Sequence, residues 1–170
     1  MHVFLTGAVQ VGKSTVLHRT LTLWSRPVYG FRTQFLHRER EDRALYLLPA
    51  ATSVPTPPCL VAPFVEGCPQ PIPAAFDTVG SALLQEARRH PEGIILMDEC
   101  GKFEREAFRF QQEIHTCLEG DIPVLGVIRQ GISGWTDLIR HHPKVRILTV
   151  TEENRELLPL EVLRLGKESL

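Results

Sequence analysis

Gly7-Ala8-Val9-Gln10-Val11-Gly12-Lys13-Ser14 fits the pattern G-x-x-x-x-G-K-[ST] at every fixed position. Ahead of it stands Val3-Phe4-Leu5, a short apolar run ended by Thr6-Gly7, which predicts a buried parallel strand. Behind it Val16, Leu17, Thr20, Leu21 and Trp24 form one apolar stripe at helical spacing, ended by Pro27. Strand, glycine loop and helix in that order are what phosphate binding requires. Successive backbone N–H groups curl round a β-phosphate, and the helix N-terminus adds a favourable potential. Gly7 and Gly12 permit backbone geometry that a Cβ obstructs. Lys13, one of only four lysines against fifteen arginines, is placed to reach the β- and γ-phosphates. Ser14 offers a hydroxyl ligand to Mg²⁺. Ala8, Val9, Gln10, Val11 and Thr15 complete the expected nucleotide-binding set.

The second half of such a site is Ile94-Ile95-Leu96-Met97-Asp98-Glu99. Four apolar residues followed by an acid form a Walker B pattern on a central strand. In open α/β sheets ligands bind at the carboxyl ends of strands, so Asp98 is expected to face the same crevice as Lys13 and to hold Mg²⁺ with Ser14. A carboxylate directly after that Asp can lie beside a γ-phosphate and polarise water. Glu99 is therefore the candidate general base, and the pair points to hydrolysis.

Outward from these motifs the chain alternates strands and helices. Val28 to Leu36 reads as a strand, residues 37–43 as a solvated charged turn, and Ala44 to Leu48 as a returning strand, so that a β-hairpin is expected. Eight of the thirteen prolines fall between residues 49 and 73, which predicts a long loop without regular structure. Phe76, Val79, Leu83, Leu84 and Ala87 mark one helix face; Phe103, Ala107, Phe110, Ile114 and Leu118 mark another. Buried strands are expected at 123–128 and 145–150, with a short helix around Trp135, Leu138 and Ile139 between them. Thr151 can cap a helical turn and Pro159 can open the last helix. The sum is a mostly parallel sheet with helices on both faces, in one domain spanning residues 1–170.

Totals restrict the function further. Nineteen basic against twenty acidic side chains leave a net charge of −1, which weighs against nucleic acid as a partner. Cys59, Cys68, Cys100 and Cys117 form no C-x-x-C pair or zinc spacing, so free thiols are expected. No apolar window is long enough for a membrane span and the N-terminus has no basic leader, so a cytoplasmic protein without membrane association is expected.

Four segments in order, Thr6-Gly7 to Thr15, Gly30-Phe31-Arg32-Thr33, Asp98-Glu99-Cys100-Gly101-Lys102-Phe103-Glu104 and Thr151-Glu152-Glu153-Asn154-Arg155, resemble the thermophilic-type nucleoside-triphosphatase family. Its vertebrate members are called cancer-related nucleoside-triphosphatases. The D-E-x-G-K-x-E segment is the specific part. The resemblance implies a P-loop fold of the ASCE (RecA-like) type and Mg²⁺-dependent hydrolysis of ATP, GTP and other nucleoside triphosphates. It sets Lys13, Glu99 and Lys102 in catalytic positions, Ser14 and Asp98 at the metal, Glu104 beside the site, and Asn154 and Arg155 near the base. It also implies that the strand Val124–Ile128 lies between the P-loop strand and the Asp98 strand, with Arg129 near the γ-phosphate. This chain departs from the family where Val9 and Gln10 replace a common proline and glycine, and where Asp42-Arg43-Ala44-Leu45 replaces R-x-G-F. A small-molecule or nucleotide kinase and a nucleotide-binding switch with negligible turnover remain as alternatives on the same loop.

Overall fold

The structure is a computed structural model and describes residues 1–36, 43–50 and 57–167. The expected charged turn falls mostly at 37–42, outside the described residues. In chain order the elements are β1 (His2–Thr6), α1 (Lys13–Trp24), β2 (Val28–Leu36), β3 (Ala44–Pro49), β4 (Cys59–Val65) and β5 (Cys68–Pro69). There follow α2 (Pro73–Ala75), a π-helical stretch Phe76–Gly80, α3 (Ser81–Ala87), β6 (Ile94–Cys100) and α4 (Phe108–Glu119). The chain ends with β7 (Val124–Ile128), α5 (Trp135–Arg140), β8 (Val145–Thr149) and α6 (Leu158–Lys167).

The strands form one sheet in the order β5-β4-β3-β2-β6-β7-β1-β8. From β2 to β8 every pair is parallel; β3, β4 and β5 extend the sheet antiparallel beyond β2. β7 lies between β1 and β6, with Phe4 opposite Gly126 and Met97 opposite the same Gly126. The expected insertion of this strand is thus what the sheet shows. It sets the glycine loop and the Asp98 strand one strand apart at the same sheet edge.

The apolar runs of the parallel strands are continuous because both faces are covered. Along β6, Ile95 and Met97 join a core with Phe31, Phe76, Phe110 and Ile114. Ile94 and Leu96 join the opposite core, with Val16, Leu17, Trp24 and Val162. One face is therefore packed by α3 and α4 and the other by α1 and α6, and the site between them stands on a rigid sheet.

Three expectations are corrected. The proline-rich stretch is not structureless: it contains β4 and β5, and Pro49 belongs to β3. Its strands lie at the outer part of the sheet, where a missing donor is tolerated. Pro63 still accepts a 2.8 Å bond from the Gln70 N–H. Second, Val79 does not share the buried face of Phe76 and Leu84; it is partly exposed. The π-helical stretch inserts an extra residue, with the Ser81 N–H bonding Phe76 O, and turns Val79 outward. Third, Phe103 and Ala107 precede α4 instead of starting it, although both are buried. Residues 101–106 turn because Glu104 folds inward to accept the Gly101 N–H at 2.9 Å.

Candidate functional site

β1 delivers the chain into the loop at Gly7, whose φ of +140° and whose approach to Val150 O leave no room for a side chain. Gln10 takes a φ of +65°, a conformation that glycine adopts without steric cost. The departure from the family glycine thus keeps the left-handed turn at a non-glycine residue. Gly12 O accepts the Val16 N–H at 3.0 Å, and the helix starts at Lys13. The Lys13 ammonium donates to Gly7 O at 2.8 Å and Ala8 O at 2.7 Å, which folds it over the loop. Burial pulls its pKa below the ordinary lysine value; Glu99 opposes this and Arg129 adds to it.

Asp98 and Glu99 are the last residues of β6 before Cys100, on the adjoining side. Burial, then the Glu99 charge, pushes the Asp98 carboxyl up to about 6, against the pull of Arg32 and Lys13. The Thr33 hydroxyl donates to Asp98 O and accepts the Glu99 N–H, both at 3.4 Å, and so ties β2 to the acid pair. Arg129, at the end of β7, sets Nη1 3.5 Å from Glu99 Oε1. Its own N–H donates to Cys100 O at 3.0 Å, which fixes the end of β7 against β6.

Two cavities meet here. One of about 560 Å³ is lined by Gly7, Gln10, Lys13, Glu99, Arg129 and Arg43 among others. The other, of about 200 Å³, is lined by Ser14, Thr33, Asp98, Glu99 and Glu104. Ser14, Phe35 and Glu99 border both. The Ser14 hydroxyl and the Asp98 carboxylate are hard oxygen donors of the kind Mg²⁺ takes. Two acids sharing one wall repel each other, which a divalent cation offsets.

Other candidates lie apart or are already engaged. Lys102 is exposed, its Nζ 5.2 Å from its own Phe103 ring, and it lines a separate cavity with Pro71, Pro73 and Arg105. Asn154 spends its amide within the turn after β8: Oδ1 accepts the Thr151 N–H at 2.8 Å and Nδ2 donates to Thr149 O at 2.9 Å. That turn sets Arg155 against the loop, its Cδ 3.3 Å from where a Gly12 Cβ would stand. Thr15 is exposed on the first turn of α1. Trp135, on the expected short helix, donates Nε1–H to Gly101 O at 2.8 Å and braces the loop after β6.

His142 is buried, and it clusters with His115 and Glu119. Its Nδ1 accepts the Lys144 N–H at 3.2 Å, which places the proton of a neutral ring on Nε2, facing Glu119 Oε1 at 3.2 Å. The cluster is a hydrogen-bonded link between α4 and the turn before β8.

Sequence reading missed one cavity residue. Arg43 is not simply the end of a solvated charge run: its guanidinium carbon lies 4.6 Å from the Phe35 ring centre and 4.8 Å from that of Phe64. An arginine placed between an aromatic at the end of one strand and one in a later apolar strand is the signal, visible only once the strands are paired.

Glu104 carries a pH signature. It is fully buried, and burial pushes its carboxyl up to about 7, with the Gly101 N–H pulling the other way. An unfolded chain ionises it near 4.5, so between about 4.5 and 7 the native state holds the extra proton. Stability is full below that window and falls by about 3 kcal/mol as pH rises through it. In magnesium-free denaturant titrations, Glu104→Gln is expected to match the wild type at pH 4.5 and to exceed it at pH 8. Equal pH dependence of the two proteins would contradict this.

A parallel layer with the glycine loop after β1 and an acid pair on β6, one strand removed, defines a P-loop nucleoside-triphosphatase fold of the ASCE type. The chain belongs to the NTPase family, whose model matches residues 2–163. It is similar to nucleoside-triphosphatase THEP1 of Natranaerobius thermophilus, 23% identical over 182 residues that cover 99% of this chain and 98% of that protein. THEP1 of Thermotoga maritima is 24% identical over 170 residues, covering 98% of this chain and 96% of that one. Among solved structures, THEP1 from the hyperthermophile Aquifex aeolicus superimposes with a TM-score of 0.79 at 20% identity, over 98% of this chain and 99% of that one. A human cancer-related nucleoside triphosphatase gives 0.75 at 23% identity, over 99% of this chain and 98% of that one. All four cysteines are free, and among the described residues no helix is long and apolar enough to cross a membrane.

Proposed function

We propose that this chain hydrolyses nucleoside triphosphates, ATP and GTP among them, to the diphosphate and inorganic phosphate with Mg²⁺. The observation that carries this reading is the position of Glu99. Its carboxylate borders both cavities, stands on the strand next but one to the glycine loop, and is held by Arg129. It can accept a proton from a water molecule as the water oxygen attacks the γ-phosphorus and the bond to the bridging oxygen breaks. Lys13 leaves its loop carbonyls for the β- and γ-phosphate oxygens and the loop N–H groups hold the β-phosphate. Asp98 and Ser14 are the residues that hold Mg²⁺, which when bound neutralises charge on the phosphate oxygens. Lys102 stays a candidate for the same charge by family resemblance, from its separate cavity. Phosphate release from a panel of triphosphates, with and without Mg²⁺ and with added acceptor alcohols, tests the reading. Diphosphate formed only with an acceptor, the phosphoryl group ending on its hydroxyl, would overturn it in favour of a kinase.

The base end lies at the opposite side of the loop, toward the turn after β8. Asn154 is engaged in that turn, which leaves Arg155 as the group beside Gly12, and a guanidinium stacks on any base. Without a rigid pair of base-edge hydrogen bonds, kcat/KM for ATP and GTP is expected to differ by less than about tenfold, or about 1.4 kcal/mol. Arg155→Ala is expected to raise KM for every triphosphate alike and to keep kcat. An unchanged KM in steady-state assays would return Arg155 to the surface pair it makes with Glu156.

A further inference from the structure

Three cations border the larger cavity: Lys13, Arg129 and Arg43. The first bonds loop carbonyls and the second pairs with Glu99. Arg43 has no acidic partner among the described residues, and its Nε is buried without a hydrogen-bond partner among them. It is nevertheless held in place. Its guanidinium lies in the corner of an edge-to-face pair, Phe35 and Phe64, whose ring centres are 5.8 Å apart. Its carbonyl accepts the Phe64 N–H at 3.3 Å. Two aromatic faces satisfy the charge electrostatically without using its N–H donors. A cation seated between two rings at the wall of the cavity, with no hydrogen bond from its guanidinium among the described residues, is preorganised for an anion.

Its place in the sheet says which anion. The base end lies toward β8, on one side of β1; Glu99 lies on the other, at the end of β6, and β2 and β3 continue outward from there. Arg43 immediately precedes β3, outward of β6 in the sheet, and borders the same cavity as Glu99 and Lys13.

Resting on the hydrolase reading above, we propose that Arg43 is a catalytic arginine supplied within the chain, whose fork contacts the γ-phosphoryl oxygens as the group transfers. Charge on those oxygens is spread over the transferring group at that moment, and an arginine fork matches it by donating two N–H bonds. Such a contact strengthens in the transition state and contributes to kcat more than to nucleotide binding. Phe35 and Phe64 are positioning residues in this account.

The test compares Mg–ADP with Mg–ADP–aluminium fluoride, a mimic of the transferring phosphoryl group, by calorimetry on wild type, Arg43→Gln, Arg43→Lys and Phe64→Leu, with phosphate release and melting temperature measured in parallel. Arg43→Gln is expected to lose about 10³-fold in kcat and a comparable factor in affinity for the fluoride complex, with Mg–ADP affinity within threefold. Arg43→Lys recovers part of both, and Phe64→Leu loses less than Arg43→Gln, again only in the fluoride complex. Equal affinities of wild type and Arg43→Gln for the fluoride complex would overturn the proposal. So would an equal loss for both ligands, which marks Arg43 as a packing residue. Should Arg43→Gln melt well below the wild type, the same comparison on Arg43→Lys and Phe64→Leu decides. A wild type that binds Mg–ADP but gains nothing from fluoride sinks the hydrolase reading itself, and that result is visible before any variant is made.

Discussion

The Glu99→Gln protein is expected to bind Mg–ATP within a few-fold of the wild type and to release phosphate about 10²–10⁴-fold more slowly. The amide keeps the size of the side chain and one acceptor, so the contact with Arg129 Nη1 at 3.5 Å survives in weakened form. What it cannot do is take a proton from water. The metal ligands proposed at Asp98 and Ser14 are untouched, which is why binding and chemistry separate. Rapid-quench kinetics beside equilibrium nucleotide binding measure both. Hydrolysis near the wild-type rate would reduce Glu99 to an ion-pair partner of Arg129 and move the search for the base to Glu104, which borders the smaller cavity with it.

Lys13→Ala is expected to lose both affinity for triphosphate and turnover, to below detection for the latter. The lysine bonds only the loop carbonyls of Gly7 and Ala8 and lies in neither apolar core. Its removal therefore takes no packing with it, and the thermal midpoint is expected to stay within a few degrees of the wild type. Burial already pulls its pKa down, so the site spends some favourable charge on holding an ammonium there. That is reasonable where an anion is to be bound. Unchanged phosphate release from Lys13→Ala would remove the phosphate-binding role of the loop.

Most of the parallel sheet was legible because its strands are buried on both faces. Ile94 to Met97 alternate between the two cores, and a residue on either face must be apolar, so the run has no polar gap. The glycine loop was legible for a different reason: its turn and its phosphate contacts restrict residue type at fixed spacing. Of the outer strands, β3 was legible as the returning arm of a hairpin with β2, while β4 and β5 were not. Prolines normally argue against a strand, yet β4 and β5 admit Pro63 and Pro69 where the sheet ends. The start of α4 was hidden by Glu104, an acid that periodicity assigns to a solvated face and that here is fully buried. Arg43 was hidden in the same way. Within its own segment it belongs to a run of charges, and only the pairing of β3 with β4 brings Phe64 to it.

Isotope incorporation tests the central claim most directly. When the enzyme turns over Mg–ATP or Mg–GTP in ¹⁸O-enriched water with no acceptor present, the account predicts one ¹⁸O in each inorganic phosphate and none in the diphosphate, because water attacks the γ-phosphorus. Label in the diphosphate, or no inorganic phosphate and diphosphate that forms only when an acceptor alcohol takes the phosphoryl group, would contradict it.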